Sequence, residues 1–523
     1  MTGTLTLVRH FLRRDRWMLL WWTIGATLLY YSQAVSVDGI YTTQAEFDRA
    51  ADMMAGNSAF VAMAGPARAL NTIGGQVTWQ ATAFGAVVAG LMSMFVVGRH
   101  TRAAEESGQD ELLRASAVDR FAPMTAALAV AALANVLLGV CVALSLISYP
   151  LAVPDSIALG LGLTLVGWVF TGTALLAAQM TSSTRGMYGI AGAVLATAYA
   201  LRALGDVGNP VLSWLSPIGW YQGMHAFSGV RWWPAVLLAG AAVLTASAAY
   251  ALFVRRDFGA GMVASRPGPV EAGRRLRSGW GLAWRLHRGS VIGWGIGMFA
   301  LGVAYGSLGT DVGDLVGDSE ASREMFVQSS GDIVDGFYAT AILLLALGVA
   351  AFAISSSLRP RGEEDEGRVE VLLAAGLSRS RWLAGHLVAT LVGVLVLLVA
   401  SGLGLGAGFA AATGDASALG TYTTAMLGYA APVLVLGGVA RALYGVVPRA
   451  AALAWLGLAI AVVVLLFGEL LQLPQWVQDL SPFEHLAQVP AEPFRWLPFL
   501  VLLAVAAALS VVGQIGLTRR DLH

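Results

Sequence analysis

Between Arg99 and Arg120 the chain crowds Arg102, Glu105, Glu106, Asp110, Glu111 and Arg114 into one short polar stretch bounded by apolar runs. Glu106 and Asp110 stand one helical turn apart, and Leu112, Leu113 and Val118 are available to pack back on apolar neighbours. A short exposed helix of this kind suits a basic groove on a partner, where charge complementarity sets register and partner choice. A second stretch repeats the chemistry with Glu363, Glu364, Asp365, Glu366 and Glu370 beside Arg368 and Arg379. A solvated charged loop is the plain alternative for either copy alone. Recurrence in both copies favours docking.

Other chemistry is thin. All 32 basic residues are arginine, so lysine Schiff bases and the phosphate-holding lysine of a P-loop are excluded. If ATP is used, another chain must bind it. Cys141 is the single cysteine and lies in an apolar run, as a small hydrophobe more than a nucleophile. The seven histidines are scattered without HExxH or paired spacing, which gives a metal site little support.

The elements that must position the two polar stretches are apolar. Of 523 residues, 57% are hydrophobic and 12% charged, against roughly 25% charged in soluble domains, and mean hydropathy is +0.69. Apolar runs lie near 17–36, 78–98, 122–147, 156–178, 185–204 and 234–254, then 289–309, 337–357, 384–411, 418–440, 450–471 and 497–516. Each is long enough to span a bilayer. The expected class is an all-α polytopic membrane protein of about twelve transmembrane helices. The N-terminal run lacks a clear cleavage site and reads as a retained span.

Arginine placement sets the expected orientation. One side collects 26 arginines and the other 6, namely Arg49, Arg68, Arg202, Arg231, Arg323 and Arg495. Both termini are then cytoplasmic, and the opposite loops are acidic, with Asp38, Glu46, Asp48 and Asp52 in one and Asp311 to Asp335 in another.

The two sets of runs repeat each other. Arg13, Arg16 and Trp22 recur as Arg285, Arg288 and Trp294, 272 residues on. Residues 107–120 align without gaps on 366–379, 259 residues on, which pairs Gly108 with Gly367. Leu215-Ser216-Pro217 recurs as Leu480-Ser481-Pro482, and Arg255-Arg256-Asp257 as Arg519-Arg520-Asp521. Polar landmarks recurring in order point to duplication, with six-helix halves at 1–262 and 285–523, a cytoplasmic linker at 263–284, and both halves inserted in the same sense.

The opening LRRDRWMLLWW (12–22), the external GNSAFVAMAGPARALNTIGGQVTW (56–79) and above all GLMSMFVVGRHTRAAEESGQDELLRA (90–115) carry a likeness. On these residues the chain resembles the ABC-2-type polyketide-antibiotic or multidrug exporter permeases of actinobacteria, in the fused form. The resemblance implies an ABC-2 (type V exporter-like) fold and a permease in the plasma membrane that exports hydrophobic or amphipathic compounds. It further implies two copies of a cytosolic ABC ATPase that bind ATP and Mg, with no cofactor, catalysis or nucleic-acid binding in this chain. Segments 103–120 and 363–379 would be coupling helices. Arg9 to Arg16 and Arg285 to Arg288 would form elbows before the first span of each half. The first, second and fifth spans would surround a central pathway, with Trp22, Tyr30, Phe84, Met92, Tyr188, Tyr199, Trp294, Phe299, Tyr305, Phe337, Tyr338 and Trp455 as lining candidates. The second half lacks the GPA…GG…W run and the RHTR lead.

Residues 44–79 read as short external helices broken at Gly65-Pro66 and Gly74-Gly75, a lid more than a cargo contact. Trp214, Trp220, Trp232, Trp233, Trp476 and Trp496 read as interfacial belt residues. Ionisable residues inside spans are few, with Arg202, His386, Arg441 and Glu469 near ends. That scarcity argues against the leading rival, a proton-coupled secondary drug transporter. A non-transporting receptor subunit is the other alternative.

Overall fold

In the computed structural model, residues 2–40, 43–56, 58–257, 259–263, 270, 271, 273, 276, 278–309, 333–467 and 474–520 are described. The acidic residues Asp311 to Asp332, Glu469, most of the linker and the Arg114 side chain lie outside that set. All regular secondary structure among the described residues is helical.

The chain divides into units Met1–Pro267 and Gly268–His523. The first is built on α1 (Thr4–Ile40), α4 (Ile73–His100), α7 (Ala122–Ser148), α8 (Val153–Met180), α9 (Thr184–Val207) and α12 (Trp233–Arg255). Short helices α2 (Gln44–Gly56) and α3 (Ser58–Ala64) follow α1, α5 (Arg102–Glu106) and α6 (Gln109–Arg114) follow α4, and α10 (Pro210–Trp214) and α11 (Pro217–Gln222) precede α12. The second unit runs α13 (Gly279–Gly306), α14 (Ile333–Ser357), α15 (Arg359–Asp365), α16 (Arg368–Ala374), α17 (Arg379–Thr413), α18 (Ala418–Gly428) and α19 (Ala430–Val446). A 3-10 turn at Pro448–Leu453 leads into α20 (Ala454–Phe467), then α21 (Gln475–Gln478) and α22 (Trp496–Arg519).

Helix starts follow from local chemistry. Thr72, Ser183, Ser278 and Ser378 each accept a backbone N–H three residues on, satisfying a donor that the first turn leaves unpaired. Prolines open α7, α8 and α12, where their missing N–H costs nothing.

Each unit repeats one packing scheme. In the first, α7 packs on α1 and α8, and α8 on α4 and α12; in the second, α17 packs on α13 and α18, and α19 on α14 and α22. The run Gly402-Leu-Gly-Leu-Gly-Ala-Gly408 shows how close these approaches are. A Cβ on Gly402 or Gly406 would fall 2.5–2.6 Å from the backbone of α18, and one on Gly404 or Gly408 2.2–2.4 Å from that of α13. Small residues four apart on two faces let α17 touch both neighbours, which is how helices associate where lipid offers no hydrophobic drive.

Several expectations change. Among the described residues eleven helices, not twelve, are long and apolar enough to cross a membrane. Helix α1, which contains the expected span 17–36, is not among the eleven. Its Trp, Tyr, Thr and Ser residues dilute the aliphatic ones. The elbow is no separate element, because Arg13 and Arg16 lie within the continuous α1 and Arg285 and Arg288 within α13. That helix starts inside the expected linker, where Ser278 caps it. The expected span 418–440 stands within one candidate span, Ala418–Val446, interrupted by a single turn residue at Tyr429 shortly before Pro432, which cannot donate a helical N–H. Gly74-Gly75 is no break but the first turn of α4, and a Cβ on Gly75 would meet the Ala69 carbonyl.

Candidate functional site

The polar stretch after α4 folds as two short helices hinged at Gly108, whose φ is +73°, and the stretch after α14 hinges in the same way at Gly367, φ +69°. Only glycine enters this left-handed region without strain, so the 259-residue register found in the sequence marks the same bend in both halves.

Exposure copies that register. Glu106, Glu111 and Leu112 are exposed, as are Asp365, Glu370 and Val371 at the matching positions, with Leu112 and Val371 at 77% and 71%. Glu366 is exposed too. Asp110 is buried like its match Val369 and lines a small cavity with His100, Arg120 and Arg256. Leu113 and Val118 pack on the core as expected, but Leu112 faces out. Each half thus presents an apolar side chain immediately after a glutamate on a bent helical pair.

Glu105 and Arg102 face inward. Arg102 donates to the Ala178 and Ala260 carbonyls at 2.5 and 3.0 Å and to Glu105 Oε2 at 2.7 Å. Arg256, beyond the end of α12, bonds both Glu105 oxygens, and its Nε donates to Gln179 Oε1 at 2.6 Å. The second half builds the same joint from Glu364, whose Oε2 takes bonds from Arg520 at 2.6 Å and the Tyr444 hydroxyl at 2.7 Å. In each half the loop glutamate therefore ties the last turn of the fourth span to the arginine that ends the sixth. Arg120 and Arg379, again 259 apart, add a second tie. Arg120 donates to the Phe253 and Val254 carbonyls at 3.1 and 3.3 Å, and Arg379 to the Arg520 carbonyl at 2.7 Å. Glu363 is held bidentately by Arg368 at 2.8 and 2.9 Å, which keeps the Arg368 guanidinium above its ordinary pKa.

The family model for "Multidrug efflux system permease Rv1217c, C-terminal domain" matches residues 276–517. Over its whole length the chain is 39% identical to the "Multidrug efflux system permease protein Rv1217c" of Mycobacterium tuberculosis (strain ATCC 25618 / H37Rv), covering 96% of that protein. The chain belongs to the multidrug efflux system permeases. It is a multi-pass membrane protein, and the family match covers the second half's hinge at Gly367 and the Tyr444–Glu364 contact, stopping short of Arg520.

For this permease the arginines expected at the elbows, Arg13, Arg16, Arg285 and Arg288, are exposed, and between each pair a buried group intervenes. Asp15 meets His100 Nε2 at 2.5 Å and Arg99 at 3.3 Å. Its match, His287, lies 3.0 Å from His386 and 2.8 Å from Ser356. Neither pairing was visible in the sequence, where these residues stand 85 to 99 positions apart. No group of three or more His, Cys, Asp or Glu residues able to hold a metal occurs among the described residues.

The pathway candidates divide. Tyr30, Met92 and Tyr338 are wholly buried within their own half. Tyr30 donates to the Ala81 carbonyl at 3.0 Å, and Tyr338 to those of Gly306 and Gly309 at 3.3 and 3.0 Å, so both act as helix-to-helix ties. Tyr199 donates to the Met63 carbonyl at 2.8 Å. Phe84, Trp294, Phe299 and Trp455 are exposed, while Trp22, Tyr188, Tyr305 and Phe337 are partly so. Trp214, Trp232, Trp233, Trp476 and Trp496 are exposed as a belt requires, and Trp220 is partly buried.

The end of α3 and the run after it are pinned. Arg202 donates to the Met63 carbonyl at 2.9 Å, Gln222 to that of Ala64 at 2.9 Å, Trp79 to that of Gly65 at 2.6 Å, and Gln76 to that of Leu70 at 2.9 Å. Four successive anchors on α4, α9 and α11 make this segment a fixed lid on the first half.

Proposed function

We propose that this permease is the transmembrane part of an ATP-driven exporter of the ABC-2 type, moving hydrophobic or amphipathic drug-like compounds out across the plasma membrane. Two copies of a cytosolic ATPase dock on its two bent helical pairs, and both termini lie on that cytosolic side. The observation that carries this reading is the exposed Glu111-Leu112 pair and its match Glu370-Val371, each on a glycine hinge at one register. An apolar knob beside a carboxylate fits a partner groove with a pocket and a basic rim. The buried glutamate ties carry the partner's pull into the fourth and sixth spans, and alternating access follows. ATP and Mg are bound by the partner.

The test replaces outward residues only, with Glu111→Arg plus Leu112→Asp in one half and Glu370→Arg plus Val371→Asp in the other. Co-purification with a candidate partner ATPase that binds and is stimulated by the wild-type permease should be lost, and so should the stimulation. Unchanged recruitment and stimulation by both variants refutes docking here.

One observation favours a second reading. The buried Asp15–His100 and His287–His386 contacts are ionisable groups of the kind proton-coupled transporters use. Uptake into inverted vesicles energised by ATP or by a proton gradient separates the two.

A further inference from the structure

Within the second half, α17, α19 and α22 leave a groove of about 400 Å³ between them, lined by Leu391, Leu434, Ala507 and Val511 and by Arg441 and Gln514 at one end. Arg441 is 3% exposed. Its Nη2 donates to Gln514 Oε1 at 2.6 Å, its Nη1 to the Leu383 carbonyl at 3.2 Å and its Nε to the Ser510 carbonyl at 3.4 Å. A guanidinium has five N–H donors, so one on each terminal nitrogen remains. No carboxylate lines the groove, and none bonds Arg441 among the described residues. The residues of the groove extend from Leu503 to Gln514 along α22, roughly 16 Å at helical rise.

We propose that this groove binds an anionic phospholipid of the surrounding bilayer, its phosphate on Arg441 and one acyl chain along the groove. Three features select that occupant. The lining is apolar over the length of an acyl chain. Its one charge is a guanidinium, whose paired donors match phosphate oxygens. Arg441 also sits five residues from the end of the 29-residue candidate span Ala418–Val446, longer than the ~20 residues that fill the hydrocarbon core, and Gln514 bonds the Ser380 carbonyl at 3.2 Å beside the exposed Arg381. Basic pockets between helices at this depth recognise anionic headgroups. A cavity of equal volume in the first half, lined by Ile190, Val194, Leu201, Leu215 and Pro217 among others, contains no charged residue and should hold lipid without headgroup preference. The proposal requires a membrane location only, and stands or falls apart from the ATP-driven reading.

The test is native mass spectrometry of the full chain, purified in detergent and offered phosphatidylglycerol and phosphatidylcholine with identical acyl chains. Wild type should retain phosphatidylglycerol preferentially, and Arg441→Met should cut that preference by about tenfold, the scale of one charge-assisted pair. Ala507→Phe fills the groove at an exposed position and leaves Arg441 in place, so it decides the matter if the arginine variant fails to fold. It should lose phosphatidylglycerol as well. Equal retention of both lipids by wild type, or unchanged preference in Ala507→Phe, overturns the proposal. Displacement of the bound lipid by a soluble anionic drug would assign the groove to cargo and overturn the lipid assignment.

Discussion

The two glutamate joints have one plan and unequal strength. Glu105 is 8% exposed and sits between Arg102 and Arg256, which are 0% and 4% exposed. Glu364 is 10% exposed and meets a single arginine, Arg520, at 20%. Arg361, which matches Arg102, swings out and pairs with Asp365 at 3.7 Å, and the Tyr444 hydroxyl takes its place on the glutamate. Coulombic attraction grows as water is excluded, so the first joint is the stiffer. The two halves keep the same connection and differ in how far water is excluded from it.

The largest test of that contrast is Glu105→Ala against Glu364→Ala. Glu105→Ala strands two buried guanidinium groups and should cost about 3–5 kcal/mol. Glu364→Ala strands one that is partly solvated and should cost about 1–2 kcal/mol. Unfolding in detergent measures both, and equal losses would break the comparison. Next come the buried groups between the paired arginines of α1 and α13. Asp15→Asn removes a carboxylate held by His100 and Arg99, a loss of about 2 kcal/mol, whereas His287→Gln removes neutral contacts worth about 1 kcal/mol. The hinges should behave alike. Nothing lies within 4 Å of a Cβ added at Gly108 or Gly367, so alanine at either should cost about 1 kcal/mol of backbone strain and no more. A hinge that responds far more strongly than its counterpart would show that one of them carries a contact as well as a bend.

The smallest effect belongs to the lid, which the second half lacks in sequence. His225 lines a small cavity with Gly65, Pro66 and Arg68 of this segment, and burial, with Arg68 and Arg231 nearby, lowers its imidazole to about 4. The free value is about 6.5. Its contribution is therefore full above that value and is lost as pH falls from there towards about 4. Limited proteolysis of residues 58–72 should quicken across that window, and His225→Asn should remove the pH dependence. Cleavage at the same rate at pH 7 and pH 5 would show that the lid does not depend on this imidazole.

Much of the second half's logic was legible in the chain because duplication supplied an internal control. The alignment of 107–120 on 366–379 paired Gly108 with Gly367 and the acidic residues around them, and Arg255-Arg256 recurring as Arg519-Arg520 was already a landmark; that the two glycines are hinges came from their backbone angles. What the alignment lacked was the partner of each. Arg256 lies 151 positions from Glu105 and Arg520 156 from Glu364, and nothing in a one-dimensional pattern joins them. Arg102 and Glu105 accordingly look like docking residues until burial turns them inward.

Hydropathy determined that this is a helical membrane protein, and polar landmarks recurring in order that it has two similar halves, because apolar length and residue order are properties of the chain itself. Which carboxylates face out and which are locked in was decided by tertiary packing. A glutamate's side chain is the same in either role, and only the close approach of the fourth and sixth spans puts a guanidinium in front of Glu105 or Glu364 and leaves Glu111 and Glu370 to solvent.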